Sequence, residues 1–151
     1  KRRSTTPVVR QRSTMCLGVY LASDVSLGLI PFRDWAPSFN VTDLEPLEAS
    51  VRQILLREFV YALGAHTQCG CGFMPEDDGE PERVAESRRA LTAFVADAMT
   101  HGFVDLYVCW NGDAGAKPTQ IMELSPAELQ SLDHWLIEGS LVHLRAESVH
   151  G

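Results

Sequence analysis

Phe103-Val104-Asp105-Leu106-Tyr107-Val108-Cys109-Trp110 alternates Val104, Leu106, Val108 and Trp110 against Phe103, Asp105, Tyr107 and Cys109, the two-residue period of a strand. Immediately before it, Val84, Ala85, Leu91, Phe94, Val95, Ala98 and Met99 fit one apolar face of a helix that Pro81 opens and Gly102 follows as the C′ residue. Immediately after it, Asn111-Gly112 is a turn signal and predicts a hairpin with a partner strand over Thr119 to Leu124. Ser125-Pro126-Ala127-Glu128 then combines an N-cap, proline at the first helical position and glutamate at the third, which predicts a short helix before a last strand near Leu141 to Leu144.

On the N-terminal side, Met15, Leu17, Val19 and Leu21 alternate with Cys16, Gly18, Tyr20 and Ala22 as a first strand. Gly28, Pro31 and Pro37 make Asp24 to Pro37 an irregular or edge segment, with Trp35 as its anchor. Phe39 to Thr42 reads as a short strand, Pro46 to Leu56 as a helix, and Glu58 to Gly64 as a strand running into a cysteine-bearing loop. Glu76, Asp77, Asp78, Glu80 and Glu82 around Gly79 and Pro81 read as a solvated loop. Strands and helices mix without a regular βαβ rhythm and no internal repeat is present. The expected class is therefore α+β: a single domain with a largely antiparallel sheet, one long helix and one or two shorter ones.

The 151 residues are enough for one core without staples. Composition is 45% hydrophobic and 22% charged, which excludes wholesale disorder. Lys1, Arg2, Arg3, Arg10 and Arg12 fall within the first fourteen positions, which hold no acid. Residues 1–14 thus form a basic arm, and residues 15–151 an acidic domain whose surface repels phosphate backbones and anionic headgroups. Nucleic-acid binding is not expected of the domain, and no apolar run reaches the ~18 residues of a membrane span. The arm lacks the apolar core of a secretion signal, which points to the cytoplasm. Asn40-Val41-Thr42 matches a glycosylation pattern that is read as chance in that compartment. A protein partner or homo-oligomer stays open.

Four cysteines are too few for a disulfide scaffold. Their distribution carries the chemistry: His66-Thr67-Gln68-Cys69-Gly70-Cys71-Gly72-Phe73 gathers two thiols and an imidazole within six positions. Glycines at 70 and 72 are expected to allow a positive φ that turns both sulfurs into one site. Such a soft site favours zinc, iron or monovalent copper over calcium or magnesium, with zinc or iron the leading expectation, and the candidate ligands are Cys69, Cys71, Cys16, Cys109 and His66. Cys16 and Cys109 lie opposite the aliphatic rows of their strands. If those strands pair antiparallel, the start of one meets the end of the other and brings the two thiols to one edge.

Two other readings of the loop stand beside the metal. Cys69 and Cys71 can act as a thiol redox pair, whose small disulfide ring would be strained and easily reduced. Alternatively the Cys-Gly-Cys turn is structural, the thiols pack as small apolar groups, His66 caps the loop, and the domain serves noncatalytic protein interaction. A cysteine nucleophile activated by His66 has no placed carboxylate partner. Gly112 to Pro118 lacks the Gly-Lys-Ser/Thr ending of a phosphate loop. His101, His134 and His143 read as structural, and Trp35, Trp110 and Trp135 as core.

Met15-Cys16 with the following Tyr-Leu-Ala-Ser, Gly64-Ala65-His66 before Cys69-Gly70-Cys71-Gly72-Phe73, and Cys109-Trp110-Asn111-Gly112-Asp113 together resemble a set of small bacterial proteins to which no function is attached. The resemblance covers most of residues 15 to 151. It implies a bacterial cytoplasmic domain starting near Met15, leaves the arm outside the pattern and transfers no site assignment.

Overall fold

The computed structural model describes residues 16–33, 38–75 and 80–147. The basic arm, Met15, Trp35 and most of the acidic loop lie outside the described residues.

Six strands form one mixed, mostly antiparallel sheet: β1 (Leu17–Ser23), β2 (Phe39–Asp43), β3 (Phe59–Ala65), β4 (Val104–Trp110), β5 (Gln120–Leu124) and β6 (Ser140–Leu144), in the order β2-β3-β1-β4-β6-β5. The architecture is α+β. Alternation along β1 and β4 decides what each face carries. Leu17, Val19 and Leu21 with Val104, Leu106 and Val108 enter the larger core, on the side covered by the 19-residue helix α1 (Pro81–Met99). Tyr20 and Ala22 with Tyr107 and Cys109 enter a smaller core on the other face with Val51 and Leu55, from and just beyond the 3₁₀ helix Pro46–Gln53.

Helix α1 contributes Leu91, Val95 and Ala98 to the larger core, a spacing that keeps one stripe on the sheet. Pro81 stands at its start, where a missing N–H costs nothing. Thr100, rather than a glycine, ends it, and Gly102 instead packs beside Asp24. Helix α2 (Pro126–Ser131) has the full reciprocal capping box between Ser125 and Glu128. Trp135 is fully buried and donates its indole N–H to the Leu129 carbonyl at 3.0 Å.

Two expectations are corrected. Pro46 to Leu56 forms a 3₁₀ helix that ends at Gln53. The Asn111-Gly112 turn forms, with Gly112 at φ 95°, but the chain does not return along β4. Instead β6 pairs antiparallel with β4, placing Ser140 opposite Val108, and β5 joins the outer edge of β6 in parallel. A turn signal specifies a local bend. Which strand fills the edge beside β4 is decided by long-range packing.

β1 and β4 are antiparallel neighbours, with Leu17 opposite Trp110 and Gly18 opposite Cys109. Just beyond that ladder, the Asn111 N–H donates to the Cys16 carbonyl at 2.8 Å. Cys16 therefore sits at the end of the sheet where β4 finishes and where the loop after β3 arrives.

Candidate metal centre

The loop leaves β3 at Ala65 and is pinned by two backbone bonds, Gln68 N–H to the Ala65 carbonyl at 2.9 Å and Ala65 N–H to the Cys69 carbonyl at 3.0 Å. Gln68 makes the tight reversal with φ 77°, a left-handed backbone that a non-glycine residue adopts at a cost. Residues Gly70–Phe73 follow as a single 3₁₀ turn laid against the beginning of β1.

Contrary to the sequence expectation, neither Gly70 nor Gly72 has a positive φ; the glycines serve by lacking a side chain. A Cβ at Gly70 would lie 2.7 Å from both the Leu17 carbonyl oxygen and Val19 Cγ2. One at Gly72 would lie 2.6 Å from Thr67 Oγ1 and 2.7 Å from the Ala65 methyl. Close approach of the turn to β1 and to its own loop is what carries Cys69 and Cys71 to Cys16.

The Sγ atoms of Cys16, Cys69 and Cys71 all lie within 4.8 Å of one another, close enough to hold a metal ion. All four cysteines are reduced, and these three are half-buried. The Leu17 backbone N–H donates to Cys71 Sγ at 3.2 Å, and Thr67 Oγ1 stands 3.7 Å from Cys69 Sγ. The Cys71 thiol hydrogen-bonds the Cys69 sulfur. That bond, helped by the Cys71 backbone N–H and the Thr67 and Cys16 side chains, lowers the Cys69 thiol to about 5 against the opposing effect of burial. The same shared proton, with burial, holds Cys71 above the usual thiol range.

The other two sequence candidates go elsewhere. Cys109 is 2% exposed and packs in the smaller core with Tyr20, Tyr107 and Ala114, so it is a core filler despite lying opposite an aliphatic row. That opposite side is itself buried, because the 3₁₀ helix Pro46–Gln53 covers it. Burial pushes its thiol up to about 12. His66 turns toward α1, where its Nδ1 lies 3.0 Å from Ser87 Oγ and its backbone N–H donates to the same hydroxyl. Ser87 in turn donates to the Ser38 carbonyl at 2.7 Å. This bridge ties the loop to the helix. Of the remaining histidines, His143 lies 2.8 Å by Nδ1 from Asp105 Oδ1.

Beside the thiols opens a cleft of about 270 Å³ whose wall includes Cys69 and Gly70. Tyr20, Asn40, Asp43, Glu45 and Glu48 also line it. The Tyr20 hydroxyl donates to Glu48 Oε2 at 2.9 Å, and the Glu45 backbone N–H donates to Glu48 Oε1 at 2.9 Å. Burial, followed by the bond to Glu48, holds the Tyr20 phenol above its ordinary range, so it stays a donor. Sequence reading passed over these residues. In the sequence their one local mark is the Asn40-Val41-Thr42 pattern within a strand-like run.

The chain matches no family model, no curated protein and no solved structure. No helix among the described residues is long and apolar enough to cross a membrane.

Proposed function

We propose that the protein binds zinc or ferrous iron through Cys16, Cys69 and Cys71. The observation that carries this reading is the convergence of three half-buried sulfurs from segments more than fifty positions apart in the chain. Thiolate sites of this kind select thiophilic ions, and tetrahedral zinc with Zn–S bonds of about 2.3 Å needs sulfurs roughly 3.8 Å apart, a separation that falls inside the 4.8 Å within which the three sulfurs lie. Among the described residues no fourth group of ligating type joins the three. A three-ligand set with an exchangeable fourth position is the arrangement of catalytic rather than closed structural sites. In a cytoplasmic, reducing setting the thiols would stay available to the ion.

Elemental analysis of tag-free protein purified without added metal, paired with thiol titration before and after chelation, tests the reading. The expected result is about one equivalent of zinc or iron, with three thiols protected until chelation and Cys109 unreactive until unfolding. Metal-free protein whose three clustered thiols react freely under reducing conditions, and which takes up no added zinc or ferrous iron, overturns it.

One observation favours a second reading, a thiol redox pair: the Cys69 and Cys71 sulfurs lie within 4.8 Å of each other and no disulfide joins them. That reading predicts a reversible two-thiol change at Cys69 and Cys71 without metal.

A further inference from the structure

The thiol cluster has three corners and, among the described residues, no fourth. The sulfurs of Cys16, Cys69 and Cys71 all lie within 4.8 Å of one another, and no other group of ligating type joins them there. The two remaining candidates are engaged elsewhere: Cys109 lies in the smaller core, and His66 Nδ1 lies 3.0 Å from Ser87 Oγ. Two segments build the triangle. Cys69 and Cys71 flank Gly70, whose missing side chain lets the turn press on Leu17 and Val19. The Leu17 backbone N–H donates to Cys71 Sγ at 3.2 Å, which ties that turn to the strand that Cys16 precedes.

What such a triangle holds best follows from the charge left behind. Three thiolates around divalent zinc leave one negative charge, and around monovalent copper two. Around trivalent arsenic they leave none. The three cysteines are half-buried, and the cleft wall that includes Cys69 also carries the carboxylates of Asp43, Glu45 and Glu48, with no Lys, Arg or His among its described residues. A centre with leftover negative charge is costly where burial removes water and the nearby charges share its sign, whereas a neutral centre avoids both costs. Coordination number points the same way. Trivalent arsenic is thiophilic, makes three bonds in a pyramid and keeps a lone pair in the fourth direction, so three sulfurs complete it.

We infer that Cys16, Cys69 and Cys71 bind trivalent arsenic, taken up as arsenous acid, in a three-sulfur site. In the exchange the three As–O bonds and the S–H bonds break, three As–S bonds and three O–H bonds form, and three water molecules leave. Where Cys69 stands as thiolate, solvent supplies the third proton. Arsenic stays trivalent throughout, so no oxidant or reductant takes part. The inference rests on the same cluster as the metal reading and names a second class of ligand for it, one that arrives uncharged and competes with the metal for the same sulfurs. Cys69 and Cys71 alone supply two of the three bonds. The third comes from Cys16, so the bound ligand joins the loop to the start of β1.

The test is titration of the full chain, stripped of metal and reduced with a thiol-free phosphine, with sodium arsenite alone. X-ray absorption at the arsenic edge and alkylation mapping of the thiols provide the readouts. The expected result is one arsenic per chain, retained through gel filtration and bound by three sulfurs and no oxygen, with arsenite-dependent protection at Cys16, Cys69 and Cys71. Cys16→Ser is expected to bind arsenite at least about tenfold more weakly, with two sulfurs and one oxygen around the arsenic, and Cys109→Ala to bind it as the parent does. The absorption spectrum of the parent decides the matter even if a variant fails to fold. Overturning results are a shell of two sulfurs and one oxygen in the parent, no arsenic retained, or equal affinity in folded Cys16→Ser. A three-sulfur arsenic site in protein that takes up neither zinc nor ferrous iron supports the inference while removing the metal reading. Uptake of either metal without arsenite binding does the reverse.

Discussion

At the end of the sheet, three half-buried sulfurs share one small volume; on the face beneath the 3₁₀ helix, a fourth lies almost fully enclosed by Tyr20, Tyr107 and Ala114. The distance along the ladder between Cys16 and Cys109 is small, since Gly18 pairs with Cys109 and Asn111 bonds Cys16. Their chemistry nevertheless diverges. Enclosure keeps Cys109 protonated, whereas hydrogen-bond donors around Cys69 favour its thiolate. Position in the strand register thus says less about a cysteine's role than which element covers it: a 3₁₀ helix on one side, a bare turn at the other end.

The largest test of this contrast is to remove one thiol from each environment. Cys71→Ser is expected to lower zinc affinity by about three orders of magnitude, roughly 4 kcal/mol, because a hydroxyl is a poor substitute for a thiolate ligand. Cys109→Ala should load metal as the parent does, at a cost only in stability. Competition against a chromophoric chelator measures both. Equal losses in the two variants would mean that the ion is held by the fold as a whole and not by the cluster.

The contrast can also be broken without touching sulfur. Gly70→Ala keeps every cysteine but drives a methyl group into the Leu17 carbonyl and Val19. Backbone on one side and a packed core residue on the other leave little room for relief, so a stability loss of about 1–3 kcal/mol is expected in denaturant unfolding. Lifting the turn from β1 should also separate Cys71 from Cys16 and weaken metal binding. Metal affinity matching the parent's would show that the ligands gather without the close contact.

How much of this was readable in the sequence depends on the range of the interaction involved. Period-two alternation marked β1 and β4, and the antiparallel neighbour argument correctly brought Cys16 close to the end of β4. The capping box at Ser125 is local and was equally legible. The sequence also pointed to the Cys-Gly-Cys segment as a place where thiols gather, but for a different glycine property from the one the fold uses: the left-handed residue is Gln68, while Gly70 and Gly72 provide clearance. Nothing local distinguishes the burial of Cys109 from that of Cys16, because the difference comes from a 3₁₀ helix more than fifty positions away from Cys109 in the chain. The parallel pairing of β5 with β6 was hidden for the same reason: the Asn-Gly turn favours a return along β4, and only the whole sheet shows β6 already there.

Alkaline titration separates the two thiol environments by a smaller effect. The Cys109 thiol titrates near 9 when exposed and about 12 in the fold, so the folded state retains a proton that the unfolded state gives up. Its contribution is complete below pH 9 and is lost as pH rises from 9 toward 12. By pH 10 the loss should reach about 1.4 kcal/mol relative to pH 8, from this group alone. Tyr20 and Tyr107, both raised by burial, act in the same direction, so the measurement is the difference between the parent and Cys109→Ala in urea unfolding at several pH values. Parallel stability profiles would show that this thiol is solvated in the fold.

The smallest expected effect lies in the loop that presents Cys69. Gln68 occupies a left-handed conformation for which glycine has no steric penalty, yet glycine also gains more freedom when unfolded. The first term, about 1 kcal/mol, should exceed the second, so Gln68→Gly is expected to stabilise the protein by about 0.5 kcal/mol while leaving zinc affinity within a factor of about three. Both readouts matter. A stabilised protein with unchanged metal affinity would mean that the strain at Gln68 is only the consequence of a tight reversal, with the backbone bonds between Ala65 and Cys69 holding the loop. A stabilised protein that binds zinc ten times more weakly would mean that the strained residue keeps Cys69 positioned, and that the cluster's geometry is maintained at the expense of local stability.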